Sequence, residues 1–170
     1  MAATEAKAVT LVETTDAHFA WILGERPPPS AGLSLPPCGL GMSEVLNSLR
    51  SGAASLRALR NGGNWMIVVQ NEVVGLCSYR EPPNADGVVE IGYSIAEGRR
   101  GLGYATQAIK GILEYAMTDS SVRCVTAGTA PENIASQRAL EKNGFVASGR
   151  YTDPKWGDSI LWRRDLRKRS

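Results

Sequence analysis

The hydrophobic positions of this chain change period several times, and each change marks an element. Val9-Thr10-Leu11-Val12-Glu13-Thr14 is rich in β-branched residues and predicts a first strand. Asp16 is placed to cap a short helix carrying Phe19, Trp21, Ile22 and Leu23. From Arg26-Pro27-Pro28-Pro29-Ser30 to Pro36-Pro37, the prolines exclude regular helix and central strand. This long loop is either an irregular connection or part of a binding mouth. Ser43 is then expected to cap a helix using Val45, Leu46, Leu49, Leu56 and Leu59, broken or bent at Gly52 and ended by Asn61-Gly62-Gly63-Asn64.

Strand patterns follow. Trp65-Met66-Ile67-Val68-Val69 is continuously apolar and so buried on both faces. A turn at Asn71-Glu72 leads into Val73 to Tyr79, and a loop from Pro82 to Gly87 leads into Val88 to Ile95. The period then lengthens. Ala105, Ile109, Ile112, Leu113 and Ala116 share one face of a helix. Val122 to Ala127 predicts another strand. Pro131-Glu132-Asn133 opens a helix with Ala135, Ala139 and Leu140 on its apolar face, stopped at Gly144. Phe145 to Tyr151 and Ser159 to Trp162 close the chain as strands. One mixed sheet flanked by helices fits this order.

The junction Ile95-Ala96-Glu97-Gly98-Arg99-Arg100-Gly101-Leu102-Gly103-Tyr104-Ala105-Thr106 joins strand to helix. Gly101 and Gly103 let the backbone turn tightly and approach a ligand. The first N–H groups of a helix lack intrahelical partners, and the helix dipole adds positive charge there. Such a turn suits a pyrophosphate, and Arg99 and Arg100 add formal charge beside it. The dinucleotide fingerprint fails because position 106 is Thr rather than Gly or Ala, and the Gly-Lys-Ser/Thr of a nucleoside-triphosphate loop is absent. By itself, a glycine pair before a helix is equally compatible with a plain turn.

Composition narrows the picture only modestly. The 170 residues suit one domain, expected to span 1–170 with a core of 8–164 and flexible ends at 1–7 and 165–170. Hydrophobic residues make up 43% and charged residues 21%, a soluble globular balance. A net charge of +2 gives no case for nucleic acid as a partner. The basic segment Arg163 to Arg169 reads first as a solvated, frayed terminus. Its other reading is a patch attracting an acidic partner. Cys38, Cys77 and Cys124 show no metal-ligand spacing, so no metal is expected, and Cys77 and Cys124 read as small buried hydrophobes. His18 reads as structural. No apolar run is long enough to span a bilayer, and Met1 to Lys7 lacks a signal-peptide core, so no membrane partner and a cytoplasmic location are expected.

A second segment gives the turn a context. Ala130-Pro-Glu-Asn133-Ile-Ala-Ser136-Gln-Arg-Ala-Leu140-Glu-Lys-Asn-Gly144-Phe145 follows the next strand. Together the two segments resemble the GNAT superfamily of acetyltransferases. Its Arg-x-x-Gly-x-Ala pattern is matched by Arg100, Gly103 and Ala105. Its Asn-x-x-Ser and Leu-Glu-Lys-Asn-Gly-Phe patterns are matched between Asn133 and Phe145. The strand Glu90 to Ile95, with Gly-Tyr-Ala-Thr after the turn, is most similar to the branch of ribosomal-protein N-terminal (RimJ/RimL-type) acetyltransferases. Specific motifs cover residues 88–149, and the order of elements extends the likeness over nearly the whole chain. Residues 24–62, where the family builds its acceptor pocket, match only loosely.

The resemblance implies an α/β (α+β) fold: a single mixed, mostly antiparallel sheet flanked by helices, with two splayed central strands. It implies that acetyl-CoA is the co-substrate and a primary amine the acceptor. Backbone N–H groups of Arg100, Gly101, Leu102, Gly103, Tyr104, Ala105 and Thr106 would hold the pyrophosphate. Ile95 would pair its backbone with the pantetheine arm, and Asn133 would hydrogen-bond that arm with Ser136 nearby. A backbone N–H in the gap would polarise the thioester carbonyl, as in an oxyanion hole. Relatives are commonly dimers, so a homodimer is compatible with the chain.

The acceptor must attack as a neutral amine. An α-amine, with pKa ~7.7–8.0, is partly free at neutral pH, whereas a lysine amine at ~10.4 is not. Glu90 stands about where many relatives carry a glutamate and is the candidate base, directly or through water. Its other reading is a strand residue facing solvent or a structural partner. Asp86 and Glu81 are further candidates. Some relatives place a tyrosine acid seven residues after the asparagine, but here that place is Leu140. Ser136 could hydrogen-bond the sulfur instead. On the acceptor side stand Arg26 and Trp156, the latter equally readable as a packed hairpin tip. The alternative function is a non-catalytic acyl-CoA-binding sensor or scaffold.

Overall fold

Residues 7–166 are described in the computed structural model. Their elements run β1 (Thr10–Glu13), α1 (Asp16–Ile22), α2 (Ser43–Ala58), β2 (Asn64–Val69), β3 (Glu72–Tyr79), β4 (Val88–Ile95), α3 (Tyr104–Thr118), β5 (Cys124–Thr129), α4 (Ile134–Lys142), β6 (Val146–Asp153) and β7 (Gly157–Asp165). A 3-10 turn, Glu97–Arg99, precedes α3. This is the expected order of elements. Across the sheet the strands are ordered β1-β2-β3-β4-β5-β7-β6. β4 and β5 pair in parallel, which requires a crossover between them, and α3 lies in that connection. β1–β2, β2–β3, β5–β7 and β6–β7 are antiparallel. The fold is therefore the mixed, mostly antiparallel α/β sheet the resemblance implies. The described residues form two compact units. One contains the chain up to Ser78 with Tyr93–Ala108, and the other contains Tyr79–Gly92 with the chain from Ile109.

In the first unit, the N-cap of α1 lies one residue before the expected Asp16. Thr15, in extended conformation, is the N-cap. Its hydroxyl accepts from the His18 N–H, and His18 Nδ1 accepts from the Thr15 N–H at 2.9 Å. This reciprocal pair is a capping box with histidine in place of the usual Glu or Gln. Asp16 sits inside the first turn instead, where a carboxylate complements the helix dipole. It grips Arg50 of α2 through two hydrogen bonds of 2.6 Å. Ser43 likewise does not cap. Met42 is the N-cap of α2 and makes no side-chain capping bond. Gly52 does not break the helix, which runs unbroken from Ser43 to Ala58. Nothing lies within 4 Å of a Cβ placed there, so its cost is a propensity cost of about 1 kcal/mol. Phe19, Trp21, Leu46, Ala53, Met66, Val68, Val73 and Leu76 form the core of this unit.

The β2–β3 turn falls one residue earlier than expected, at Gln70 and Asn71. Both have positive φ, 47° and 66°, as a two-residue hairpin turn requires. The Pro-rich loop is tied to this turn: the Ser34 N–H donates to Asn71 O and the Val73 N–H donates to Ser34 O.

In the second unit, α3 buries Ile109, Ile112, Leu113 and Ala116 as expected, but α4 buries only Ala139 and Leu140 and leaves Ala135 exposed. Trp162 is buried, with its indole N–H on Thr129 Oγ1 at 2.9 Å. Trp156 stands 54% exposed at the β6–β7 hairpin tip, where Asp153 Oδ1 accepts from the N–H groups of Lys155 and Trp156. Arg163 and Arg164, expected to open a frayed tail, belong to β7: Arg163 pairs with Asp165, and Arg164 Nε donates to Asn143 O. Residues 167–169 of that basic segment lie outside the described residues. Cys77 and Cys124 are buried and Cys38 is exposed, all as free thiols. No described helix is long and apolar enough to cross a membrane.

Candidate active site

The turn that the sequence singled out is held by a defect in β3. Ile67 pairs with Gly75, but Val68 pairs with Val73, leaving Val74 as an extra residue. This bulge turns the Val74 carbonyl to the N–H of Ala96, at 2.8 Å, just beyond the end of β4. Gly75 completes the arrangement. A Cβ there would lie closer than 3.0 Å to the Ser94 carbonyl, so only glycine lets the β4 backbone cross at that height. The end of β4, and Ile95 with it, is thus located by β3.

Two arginines next divide their work. Arg99 is not spare positive charge beside the turn. Its Nε and Nη2 bond both carboxylate oxygens of Glu72, at 2.5 and 3.0 Å, and clamp the 3-10 turn to the start of β3. That guanidinium holds the Glu72 carboxyl below its ordinary range. Arg100 reaches back, its Nε donating to the Ile95 carbonyl at 3.1 Å. Gly101 and Gly103 have φ of 77° and 78°, and a Cβ on either would meet nothing within 4 Å. Their glycines are required by backbone conformation, not by crowding. The first helical bond nearby runs from Gln107 N to Gly103 O at 3.2 Å. The N–H groups of Tyr104 and Ala105 therefore precede it at the positive end of α3. The segment from Ile95 to Thr106 thus forms a cradle that brings the Arg100 guanidinium and two positive-φ glycines to the start of α3, a setting that favours an anion.

The remaining predicted residues lie in the second unit. Asn133 is the N-cap of α4, its Oδ1 accepting from the Ser136 N–H at 3.2 Å. With its oxygen so used, the amide presents N–H donors to any ligand. Ser136 is brought to Asn133 by this cap. Leu140, seven residues after Asn133, is fully buried. Glu90 lies on β4 beside Thr126 of β5, and its carboxylate pairs with Arg80 at 3.2 Å. Both side chains are partly exposed, at 38% and 41%.

Sequence reasoning missed Arg80, Glu72 and Gly75. Arg80 follows directly on β3, and only the sheet brings it to Glu90. Glu72 and Arg99 are separated by 27 residues. Gly75 inside an apolar run carried the usual signal of a bulge or a close backbone approach, and here it serves both.

The acetyltransferase (GNAT) domain family model matches residues 43–146, which include the cradle, Glu90, Asn133 and Ser136. The chain belongs to the GNAT acetyltransferase family. It is 30% identical over 94 residues to an uncharacterized N-acetyltransferase, YjdG, of Bacillus subtilis, covering 54% of this chain and 56% of that protein. It is 25% identical over 85 residues to the ribosomal-protein-serine acetyltransferase of Escherichia coli, covering 50% of this chain and 48% of that one. The chain thus spans about half the length of these curated relatives. Among solved structures, the RimL ribosomal alpha-N-protein acetyltransferase in complex with coenzyme A superposes with a TM-score of 0.74 at 18% identity, covering 95% of this chain and 96% of that chain. RimJ of Mycobacterium smegmatis, in complex with a CoA disulfide, gives 0.69 at 26% identity over 94% and 83%. The matched span thus carries the positive-φ glycine turn before α3, the α4 N-cap Asn133 and the buried Leu140.

Proposed function

We propose that this chain is an acetyl-CoA-dependent N-acetyltransferase of the cytoplasm. It moves an acetyl group to a primary amine, a protein N-terminal α-amine or a small-molecule amine, by direct attack in a ternary complex. The observation that carries the reading is the cradle, where two positive-φ glycines precede α3 and Arg100 stands beside them. The backbone N–H groups from Arg100 to Thr106 hold the pyrophosphate. Ile95 engages the pantetheine arm with its backbone, and the Asn133 amide hydrogen-bonds that arm.

In the reaction the amine nitrogen bonds to the thioester carbon, the carbon–sulfur bond breaks, and its electron pair leaves on sulfur. Glu90 takes the proton lost by the amine, directly or through water. A carboxylate is a weak base, which suits an α-amine already partly free at neutral pH better than a lysine. A thiol with pKa ~8.5 leaves tolerably as thiolate, so buried Leu140 does not forbid the step, and Ser136 hydrogen-bonds the departing sulfur.

The test is thiol release from acetyl-CoA with a panel of amines and short peptides, alongside calorimetry with CoA. Release dependent on one acceptor class supports the reading and names the class. Absence of CoA binding ends it. Buried Leu140 also motivates a second reading, an acyl-CoA-binding sensor, for which the signature is tight CoA binding with no transfer to any amine.

A further inference from the structure

β4 and β5 pair in parallel from Val88–Cys124 to Ile91–Ala127. The next residue on each strand is a glycine, Gly92 and Gly128. Neither has the positive φ that would explain it. A side chain from outside its own strand approaches each, loosely at Gly92 and tightly at Gly128. Arg80 Nε would lie 3.7 Å from a Cβ at Gly92. Tyr151 Oη would lie closer than 3.0 Å to a Cβ at Gly128. The phenol therefore rests directly on the β5 backbone, in space that any larger residue at 128 would fill.

The registers show which face this is. Glu90 and Gly92 share one face of β4, beside Thr126 and Gly128 of β5. Gly128 pairs with Leu161 of β7, and Leu161 pairs with Gly149 of β6, two residues before Tyr151. Tyr151 thus projects from that same face and crosses β7 to reach β5. The face is half-exposed at Glu90, Gly92, Thr126, Gly128, Leu161 and Tyr151, whereas the opposite face buries Val89, Ile91, Val125 and Ala127. A carboxylate, a guanidinium and a phenol hydroxyl consequently flank a bare patch of backbone where the described parallel pairing ends.

We propose that Tyr151 orients the acceptor. Its hydroxyl oxygen accepts an N–H of the incoming amine on the face that carries Glu90, and this fixes the direction of the attacking lone pair. A phenol is suited to this because it accepts without adding charge. Gly128 is the positioning residue that makes room for it. The inference rests on the acetyltransferase reading.

The test compares wild type, Tyr151→Phe, Gly128→Ala and the double variant. The acceptor is whichever of an alanine-led tripeptide, phenylalaninamide and spermidine the wild type turns over. Tyr151→Phe keeps the ring and is expected to lower kcat/KM for the amine about 10-fold, the worth of one hydrogen bond, with the Kd for CoA by calorimetry unchanged. Gly128→Ala, which displaces the hydroxyl, is expected to match it, and the double variant to lose no more than either single one. Wild-type kcat/KM in Tyr151→Phe overturns the proposal, as does a parallel loss of CoA affinity or full additivity in the double variant. If Gly128→Ala fails to fold, Tyr151→Phe alone decides. A wild type that transfers to no amine overturns the acetyltransferase reading itself, an outcome distinct from loss confined to the variants.

Discussion

Gly75 of β3 lies so close to the carbonyl of Ser94 on β4 that a methyl group at 75 would stand closer than 3.0 Å to that oxygen. The obstacle is backbone, which cannot swing aside as a side-chain tip does. Gly75→Ala is therefore expected to destabilise the protein by about 1–3 kcal/mol, the usual cost of overpacking. Because Ile95 follows Ser94, CoA affinity should weaken as well. Urea unfolding and calorimetry measure the two effects. Wild-type affinity in a destabilised variant would show that the strand end does not set the cofactor position.

His18 makes the stability of α1 depend on pH. Burial lowers its pKa below the ordinary 6.5, and its Nδ1 accepts a hydrogen bond only when unprotonated. The unfolded chain protonates His18 near pH ~6.5, while the folded chain resists. Below that pH the unfolded state binds more protons, so this contribution is present above ~6.5 and lost as pH falls. His18→Gln keeps a capping-box side chain without titrating. Between pH 7.5 and 5.5 the Tm of the wild type is expected to drop more than that of the variant. Parallel Tm curves would refute the linkage.

Glu90→Gln tests the base. Turnover should fall about 100-fold at neutral pH, within the usual range for a general base, with CoA affinity unchanged. The deficit should narrow above pH ~8, where an α-amine is largely free without help. Turnover equal to wild type at pH 7 would leave Glu90 as a strand residue held by Arg80.

Asn133 combines a cap with a proposed cofactor contact, and two substitutions separate them. Asn133→Ala should lose about 1 kcal/mol of stability with the cap, along with CoA affinity. Asn133→Asp retains an oxygen for the Ser136 N–H but no amide donor. It should recover the stability while CoA binding stays weakened about 10-fold, the worth of one hydrogen bond. Full affinity in Asn133→Asp would mean that the side chain serves only α4.

The order of elements was legible because hydrophobic period is a local property: a buried strand such as Trp65–Val69 and an amphipathic helix such as α3 write it into adjacent residues. The cradle was legible for the same reason, since Gly101 and Gly103 are demanded by their own φ angles. Boundaries were less so. Thr15 rather than Asp16 caps α1, because the cap goes to the residue whose extended backbone and side chain meet His18, and Asp16 has a partner in Arg50 34 residues away.

What the sequence by itself determined was the succession of strands and helices, the glycine turn before α3 and the family. Tertiary structure alone decided which charges remain for chemistry. Arg99 and Arg100 are neighbours in sequence, yet one is bound to Glu72 and the other to the Ile95 carbonyl. Glu90 meets Arg80, and Tyr151 settles on Gly128, only because strand register carries them there. Register is a property of pairs of strands, and no single segment contains it.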